Sequence, residues 1–320
     1  MTPVLQPGAV YERIAANVHS VLRGKPDVVR LAVAALFAEG HLLVEDVPGV
    51  GKTTLARCLA RSIGGSWNRI QFTPDLLPGD ITGVPVYHQK EERFEFHPGG
   101  VFANVVVADE INRGTPKTQS ALLEVMAERT VTVDAVRHEV PRPFLVVATQ
   151  NPIELAGTYR LPEAQLDRFL MRLDVGYPDL ASEVMVIMGD CAGVGPDELN
   201  PVVDIPTLRQ TIQQVRVVHV DRAVCEYAAR LAAATRTHVA LRYGASPRGS
   251  IALIRAGQAF AATDGRAFVT VDDVKDVAHA VLAHRLILTA DAELNGRRAT
   301  EVVDEVLAAT PAPMRAGKTA

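Results

Sequence analysis

The sequence predicts an α/β fold: a five-stranded parallel sheet flanked by helices, followed by a small all-helical domain. Three observations carry this reading. A glycine-rich turn, Gly49-Val50-Gly51-Lys52-Thr53, stands between an apolar run (Leu42-Leu43-Val44) and a stretch of helical apolar spacing (Leu55, Ala56, Leu59, Ile63). Two further apolar runs, Val105-Val106-Val107-Ala108 and Phe144-Leu145-Val146-Val147-Ala148, each end in polar residues. Such runs suit parallel strands covered on both faces. After Gly176-Tyr177-Pro178 the patterns are helical, with no convincing strand.

In chain order, Tyr11, Ile14, Val18, Val21 and Leu22 have helical spacing, and Gly24-Lys25-Pro26 stops that helix. Val28 to Phe37 is apolar nearly all round, the mark of a buried helix. The first strand falls near His41 to Glu45, and the helix after the glycine turn runs to Ile63, where Gly64-Gly65 ends it. A second strand is expected near Arg69 to Phe72, then a loop rich in Pro and Gly from Thr73 to Gly83. After the strand that ends at Asp109-Glu110, Thr115-Pro116 is a cap and first-position pair for a helix through Glu128. Val131, Val133 and His138 to Val140 read as a short hairpin, and Leu170 to Val175 as the fifth strand. Alternation of strands and helices from 41 to 175 implies a parallel sheet with helices on both faces. The nucleotide-binding part is therefore placed at 1–178, the helical domain at 179–310 and a loose tail at 311–320. In the helical part, Asp221, Ser246-Pro247 and Thr270-Val271-Asp272-Asp273 are start signals, the last a capping box with Val269 and Val274 as its staple.

Glycines let backbone N–H groups turn inward around phosphate oxygens, and the helix that follows points its positive end at the same anion. Pro48, Gly49, Val50, Gly51, Lys52, Thr53 and Thr54 are thus the candidate nucleotide-binding set, with Lys52 reaching the β- and γ-phosphates and Thr53 on Mg²⁺. The first glycine of the usual pattern is absent: Asp46 stands there. Carboxylates at the C-terminal end of a central strand lie where α/β sheets bind ligands. Asp109 is placed to hold Mg²⁺ through water and Glu110 to polarise an attacking water, a pairing that points to nucleotide hydrolysis. Asn151, at the tip of the 144–148 strand, can orient that water or contact the γ-phosphate. Arg248, in the first turn of a helix, opposes the helix dipole unless an anion is near. It is either an exposed charge or a phosphate contact. Arg168 sits after a short helix, where a capping cation and an arginine finger have the same spacing.

At 320 residues the chain can hold two domains, and 48% apolar with 22% charged residues is ordinary for a globular protein. No segment reaches the ~18 apolar residues of a membrane span, and no secretory leader pattern is seen. Cys58, Cys191 and Cys225 have no paired spacing, which argues against a disulfide framework or zinc site and fits a reducing cytoplasm. A net charge of −4 gives no footprint for nucleic acid.

These residues together resemble the AAA+ ATPases, specifically the MoxR family. The resemblance rests on Glu45 to Thr53, Phe72-Thr73-Pro74-Asp75-Leu76-Leu77-Pro78, Ala108-Asp109-Glu110-Ile111-Asn112-Arg113, Ala148-Thr149-Gln150-Asn151-Pro152, Leu161 to Phe169 and Ser246-Pro247-Arg248. His97-Pro98-Gly99-Gly100 departs from the Gly-Pro pair expected at that turn. The resemblance implies an AAA+ core with a helical lid, ATP and Mg²⁺ as ligands, and a homo-oligomeric, hexameric ring with ATP between subunits. It makes Asn151 the sensor-one residue, Arg248 sensor two acting in cis from the lid, and Arg168 the arginine finger acting in trans. It also implies protein clients, chaperone-like remodelling, and partners carrying a von Willebrand factor A domain. Competing readings are a nucleotide-gated scaffold with little turnover, a metal-chelatase-like ATPase and a DNA-acting motor. Glu110 and Arg168 favour turnover over a passive scaffold, and the acidic charge disfavours DNA.

Overall fold

The computed structural model describes residues 5–47, 49–151, 158–191, 193 and 195–313. Pro48 of the phosphate loop, Pro152 of the Asn151-Pro152 pair and residues 314–320 of the expected tail lie outside the described residues.

Two helices, α1 (Pro7–His19) and α2 (Pro26–Phe37), precede β1 (Leu42–Glu45). Then come α3 (Lys52–Ser62), β2 (Trp67–Gln71), α4 (Pro78–Thr82), β3 (Val84–His88), β4 (Arg93–His97), β5 (Val105–Asp109) and α5 (Pro116–Glu128). The core closes with β6 (Thr130–Val133), β7 (Val136–Glu139), β8 (Leu145–Gln150), α6 (Glu163–Leu166) and β9 (Met171–Leu173). Helices dominate thereafter: α7 (Leu180–Cys191), α8 (Ile205–Arg216), α9 (Arg222–Arg236), α10 (Pro247–Thr263), α11 (Val271–Leu282), α12 (Ala290–Leu294) and α13 (Ala299–Ala309), with the short strands β10 (Leu241–Tyr243) and β11 (Ile287–Leu288).

The central sheet is five-stranded, in the order β2-β5-β8-β1-β9, and every pairing in it is parallel. The apolar runs of β1, β5 and β8 are buried because helices cover both faces. One core layer joins α1, α2 and α3 to the helical domain through Val29, Ala32, Leu253 and Phe260; the other lies under α5, around Phe72, Leu122, Leu123 and Phe144. The start signals act as read: Thr115 Oγ1 accepts from Thr118 N, Ser246 Oγ from Arg248 N, Asp221 Oδ1 from Ala223 N, and Thr270 with Asp273 closes a reciprocal capping box.

The structure differs from the expected elements in four places. α1 stops at His19, so Val21 and Leu22 lie in the turn beyond it. The Pro/Gly loop contains α4 and leads into an antiparallel hairpin, β3 on β4, whose strands lack clean alternation because most of their side chains are exposed. The His97–Gly100 turn is closed by backbone packing: Gly83 (φ +92°) and Gly99 approach so closely that a Cβ on either would overlap the other's backbone. The helical domain also holds one strand pair, β10 on β11, too short to carry a periodic signal.

The lid helix α10 packs on α2 and α1 as well as on α9 and α11. Since α2 leads through Glu39 and Gly40 into β1, this packing sets the start of α10 beside the N-terminal end of the sheet.

Candidate functional site

Gly49 (φ +87°) and Gly51 (φ +93°) take left-handed backbone conformations, and Gly51 is the N-cap of α3. These are backbone conformations that glycine takes without a Cβ penalty. Lys52 Nζ donates to the Asp46 carbonyl at 2.7 Å, which holds the ammonium over the loop. Asp46 explains its own departure from the glycine pattern. Its Oδ1 accepts from Val47 N at 2.7 Å and its Oδ2 from Gly176 N at 2.5 Å, tying the loop to the segment after β9. A cavity of about 550 Å³ opens beside the loop, with Gly49, Val50 and Gly51 on one wall and Leu22, Met185 and Met188 on others.

Asp109 and Glu110 stand at the C-terminal end of β5, on the same end of the sheet as the loop. Thr149, at the corresponding end of β8, links the two acids: its hydroxyl donates to Asp109 Oδ1 at 2.6 Å and accepts from Glu110 N at 2.9 Å. That second bond pins Glu110 in the left-handed region (φ +54°), a conformation costing about 1–3 kcal/mol in a non-glycine residue. Arg69 grips Asp109 Oδ2 through Nε at 3.0 Å and Nη2 at 2.5 Å. Glu110 Oε2 accepts from Gln71 Nε2 at 2.8 Å and Arg113 Nη1 at 3.1 Å. Asn151 follows the end of β8 and is 93% buried, consistent with a fixed side chain.

Sequence reading missed Arg69, Gln71, Arg113 and Thr149. The signal for the first two was present: they alternate on β2, whose Gln71 is in register with Asp109. Without the strand order, nothing assigns that alternation to the acids.

The donor set fits a hard divalent cation. Thr53 lies in the first turn of α3, and Thr53 and Asp109 offer only oxygen, the ligand type Mg²⁺ takes.

The two candidate arginines are elsewhere. Arg168 and Arg248 line one cavity of about 460 Å³, together with Gly40, His41, Leu170 and Arg285. Gly40 and His41 precede β1 and Leu170 precedes β9, so this cavity faces the N-terminal end of the sheet. The four residues of β1 separate it from the phosphate loop by roughly 13 Å at ~3.3 Å per residue. Arg168 is exposed and donates to the Leu123 carbonyl; Arg248 is exposed and has no side-chain partner among the described residues. The structure therefore brings Arg248 together with Arg168, not with Lys52, because α10 is docked on α2.

Comparison with known proteins follows the same division. Residues 41–171 match the family model described as the ATPase family associated with various cellular activities (AAA), and residues 233–306 match the AAA lid domain. Over 311 residues the chain is 41% identical to the protein named Chaperone MoxR1 of Mycobacterium tuberculosis, covering 94% of this chain and 82% of that one. The chain belongs to the MoxR family of AAA+ ATPases. Within reach of this MoxR-family chain is also the uncharacterized protein YeaC of Bacillus subtilis, 47% identical over 302 residues and 93% of each chain. A crystal structure of a protein from Cytophaga hutchinsonii superposes with a TM-score of 0.90 at 34% identity, covering 96% of both chains. None of the described helices of this MoxR-family chain is long and apolar enough to cross a membrane.

Proposed function

We propose that the protein hydrolyses Mg²⁺-ATP at sites shared between neighbouring subunits of a ring, and uses the cycle to remodel client proteins. One observation carries this reading: the glycine turn with Lys52 and the acids Asp109 and Glu110 lie at one end of the sheet, while Arg168 and Arg248 lie at the other. A head-to-tail ring would set one subunit's arginines against the next subunit's phosphates.

In this reading the N–H groups of Gly49 to Thr54 bind the phosphates, and Lys52 exchanges the Asp46 carbonyl for the β- and γ-oxygens. The base lies in the slot of Leu22, Val50, Met185 and Met188. Mg²⁺, held by Thr53 and by Asp109 through water, would neutralise charge on the phosphate oxygens. Glu110 takes a proton from the attacking water, which Asn151 orients. Arg168 and Arg248 of the neighbour stabilise charge on the transferring phosphoryl group.

The ring is proposed to be a hexamer, the compartment the cytoplasm, and the helical lid to begin at residue 179. The name of the tuberculosis relative, Chaperone MoxR1, supports protein clients for this chain. Partners with a von Willebrand factor A domain are proposed on the family resemblance alone.

The test is a Glu110→Gln protein used as a trap. It should bind ATP with Mg²⁺, hydrolyse about 10²–10⁴-fold more slowly, and retain client and ATP together in a pull-down. Near-normal turnover eliminates Glu110 as the base. Little turnover by the wild-type protein, with no ATP-dependent client on the trap, supports the scaffold reading instead.

A further inference from the structure

Arg168 and Arg248 come from different domains, yet they line one cavity. Something must hold them in register. Arg168 follows α6 in the core, while Arg248 opens α10 in the lid.

The residue before Arg168 is Asp167, and its two carboxylate oxygens face opposite ways. Oδ1 accepts from Arg285 Nε at 3.0 Å; Oδ2 accepts from the Ser246 hydroxyl at 2.9 Å. Arg285 follows α11 and its side chain is only 2% exposed. Its remaining donors reach the Phe169 carbonyl at 2.6 Å, the Leu170 carbonyl at 3.3 Å and the Val281 carbonyl. Burial pulls the Arg285 guanidinium down to about 10, so it stays charged at neutral pH opposite Asp167. Ser246 works in both directions. While its hydroxyl hydrogen goes to Asp167, its oxygen accepts from the Arg248 backbone N–H at 3.2 Å. An unbroken path of hydrogen bonds therefore runs from Arg285 through Asp167 and Ser246 to the backbone of Arg248, passing beside Arg168.

We propose that Asp167, clasped by Arg285 and Ser246, is a positioning residue that joins the Arg168 segment to the start of α10, so that the two arginines are presented to the neighbouring nucleotide as one unit. This rests on the reading that both arginines act on the next subunit's ATP. A plain salt bridge between core and lid would need only the Asp167–Arg285 pair. The Ser246 hydroxyl, which spends its one proton on Asp167 and its lone pair on Arg248, is the element that couples the arginines. Misplacing such a group by about 1 Å can cost ~10²-fold in rate without loss of binding.

The experiment compares Ser246→Ala, Ser246→Thr and Asp167→Asn with wild type, Arg168→Ala and Arg248→Ala, all at concentrations where sedimentation shows full assembly. Three quantities are read: kcat for ATP, fluorescent ATP analogue bound per subunit, and Tm. Ser246→Ala and Asp167→Asn should lower kcat by about tenfold or more, with bound nucleotide per subunit as in wild type. Ser246→Thr keeps the hydroxyl and should restore kcat to within about twofold. Asp167→Asn leaves Arg285 buried without a counter-charge and can unfold; the Ser246 pair decides the question in that event. If Ser246→Ala loses bound nucleotide and Tm in proportion to kcat, or if Ser246→Thr fails to recover kcat, the residues merely support the fold and the proposal falls. Full kcat in Ser246→Ala with inactive arginine variants overturns the positioning role alone. Full kcat in both arginine variants overturns the shared-site reading and this proposal with it.

Discussion

His41 should make the protein weaken as the pH falls from 7 to 5, by an amount the structure sets. It lies just before β1, fully buried, and burial pushes its pKa down to about 4 from the ordinary 6.5, helped by the nearby Arg129 and Arg255 and opposed by its bond to the Met126 carbonyl. Its Nδ1 accepts from Val146 N at 3.0 Å, so the proton sits on Nε2, facing the Met126 carbonyl at 3.1 Å. A second proton would set donor against donor at Val146. The unfolded chain binds this proton below pH 6.5 and the folded chain does not until about pH 4. Stability from this residue is thus whole above 6.5 and is lost as the pH falls toward 4. At pH 5 the loss is about 2 kcal/mol. With a urea slope of about 2–3 kcal/mol/M, the midpoint should drop by roughly 0.7–1 M between pH 7 and pH 5 on this account. The assay is urea unfolding at both pH values for wild type and His41→Gln. Other titrating groups move both proteins alike, so the difference between the two pH dependences isolates His41. An equal drop in the variant refutes the reasoning, as does a carbon-detected NMR titration placing His41 above pH 6.

Lys52→Ala should lose nucleotide affinity and keep its Tm without ATP to within a few degrees, since it forfeits a single bond to the Asp46 carbonyl; ATP should raise the Tm of wild type only, by linkage. Equal stabilisation of both would mean the loop is misassigned. Asp46→Ala removes two backbone partners, Val47 and Gly176, and should cost about 1–3 kcal/mol and weaken ATP binding, both read by thermal melts with and without ATP. An unchanged Tm would show that this carboxylate does not tie the loop to Gly176. Asp109→Asn should raise the Mg²⁺ concentration needed for half-maximal hydrolysis, and it also loosens Arg69 and Thr149; an unaltered Mg²⁺ dependence would remove Asp109 from the metal site.

The sheet was legible because parallel strands covered on both faces must be apolar throughout, and β1, β5 and β8 are. The positions of the loop, Asp109, Glu110 and Asn151 were legible for a related reason: they stand at strand ends that the same runs mark. Helix starts at Thr115, Asp221, Ser246 and Thr270 were readable because a capping side chain and its backbone partner lie within three residues. What escaped depends on contacts distant in sequence. Arg69 and Gln71 gain meaning only when β2 is set beside β5. The hairpin of β3 and β4 is largely exposed, so burial imposes no alternation on it. The partnership of Arg168 with Arg248 follows from the docking of α10 on α2, which no local spacing encodes.

The central claim, an active site completed by the neighbouring subunit, is tested most directly by mixing two inactive proteins. Arg168→Ala subunits keep the loop and Lys52→Ala subunits keep the arginines. In an equal, randomly exchanged ring, half the subunits offer a working loop and half of their neighbours a working Arg168, so about one quarter of interfaces should be competent. Once labelled subunits show exchange, the mixture should recover ATP hydrolysis at about a quarter of the wild-type rate, while neither variant alone does. Confirmed exchange with no recovery, and full turnover by Arg168→Ala alone, would contradict the account.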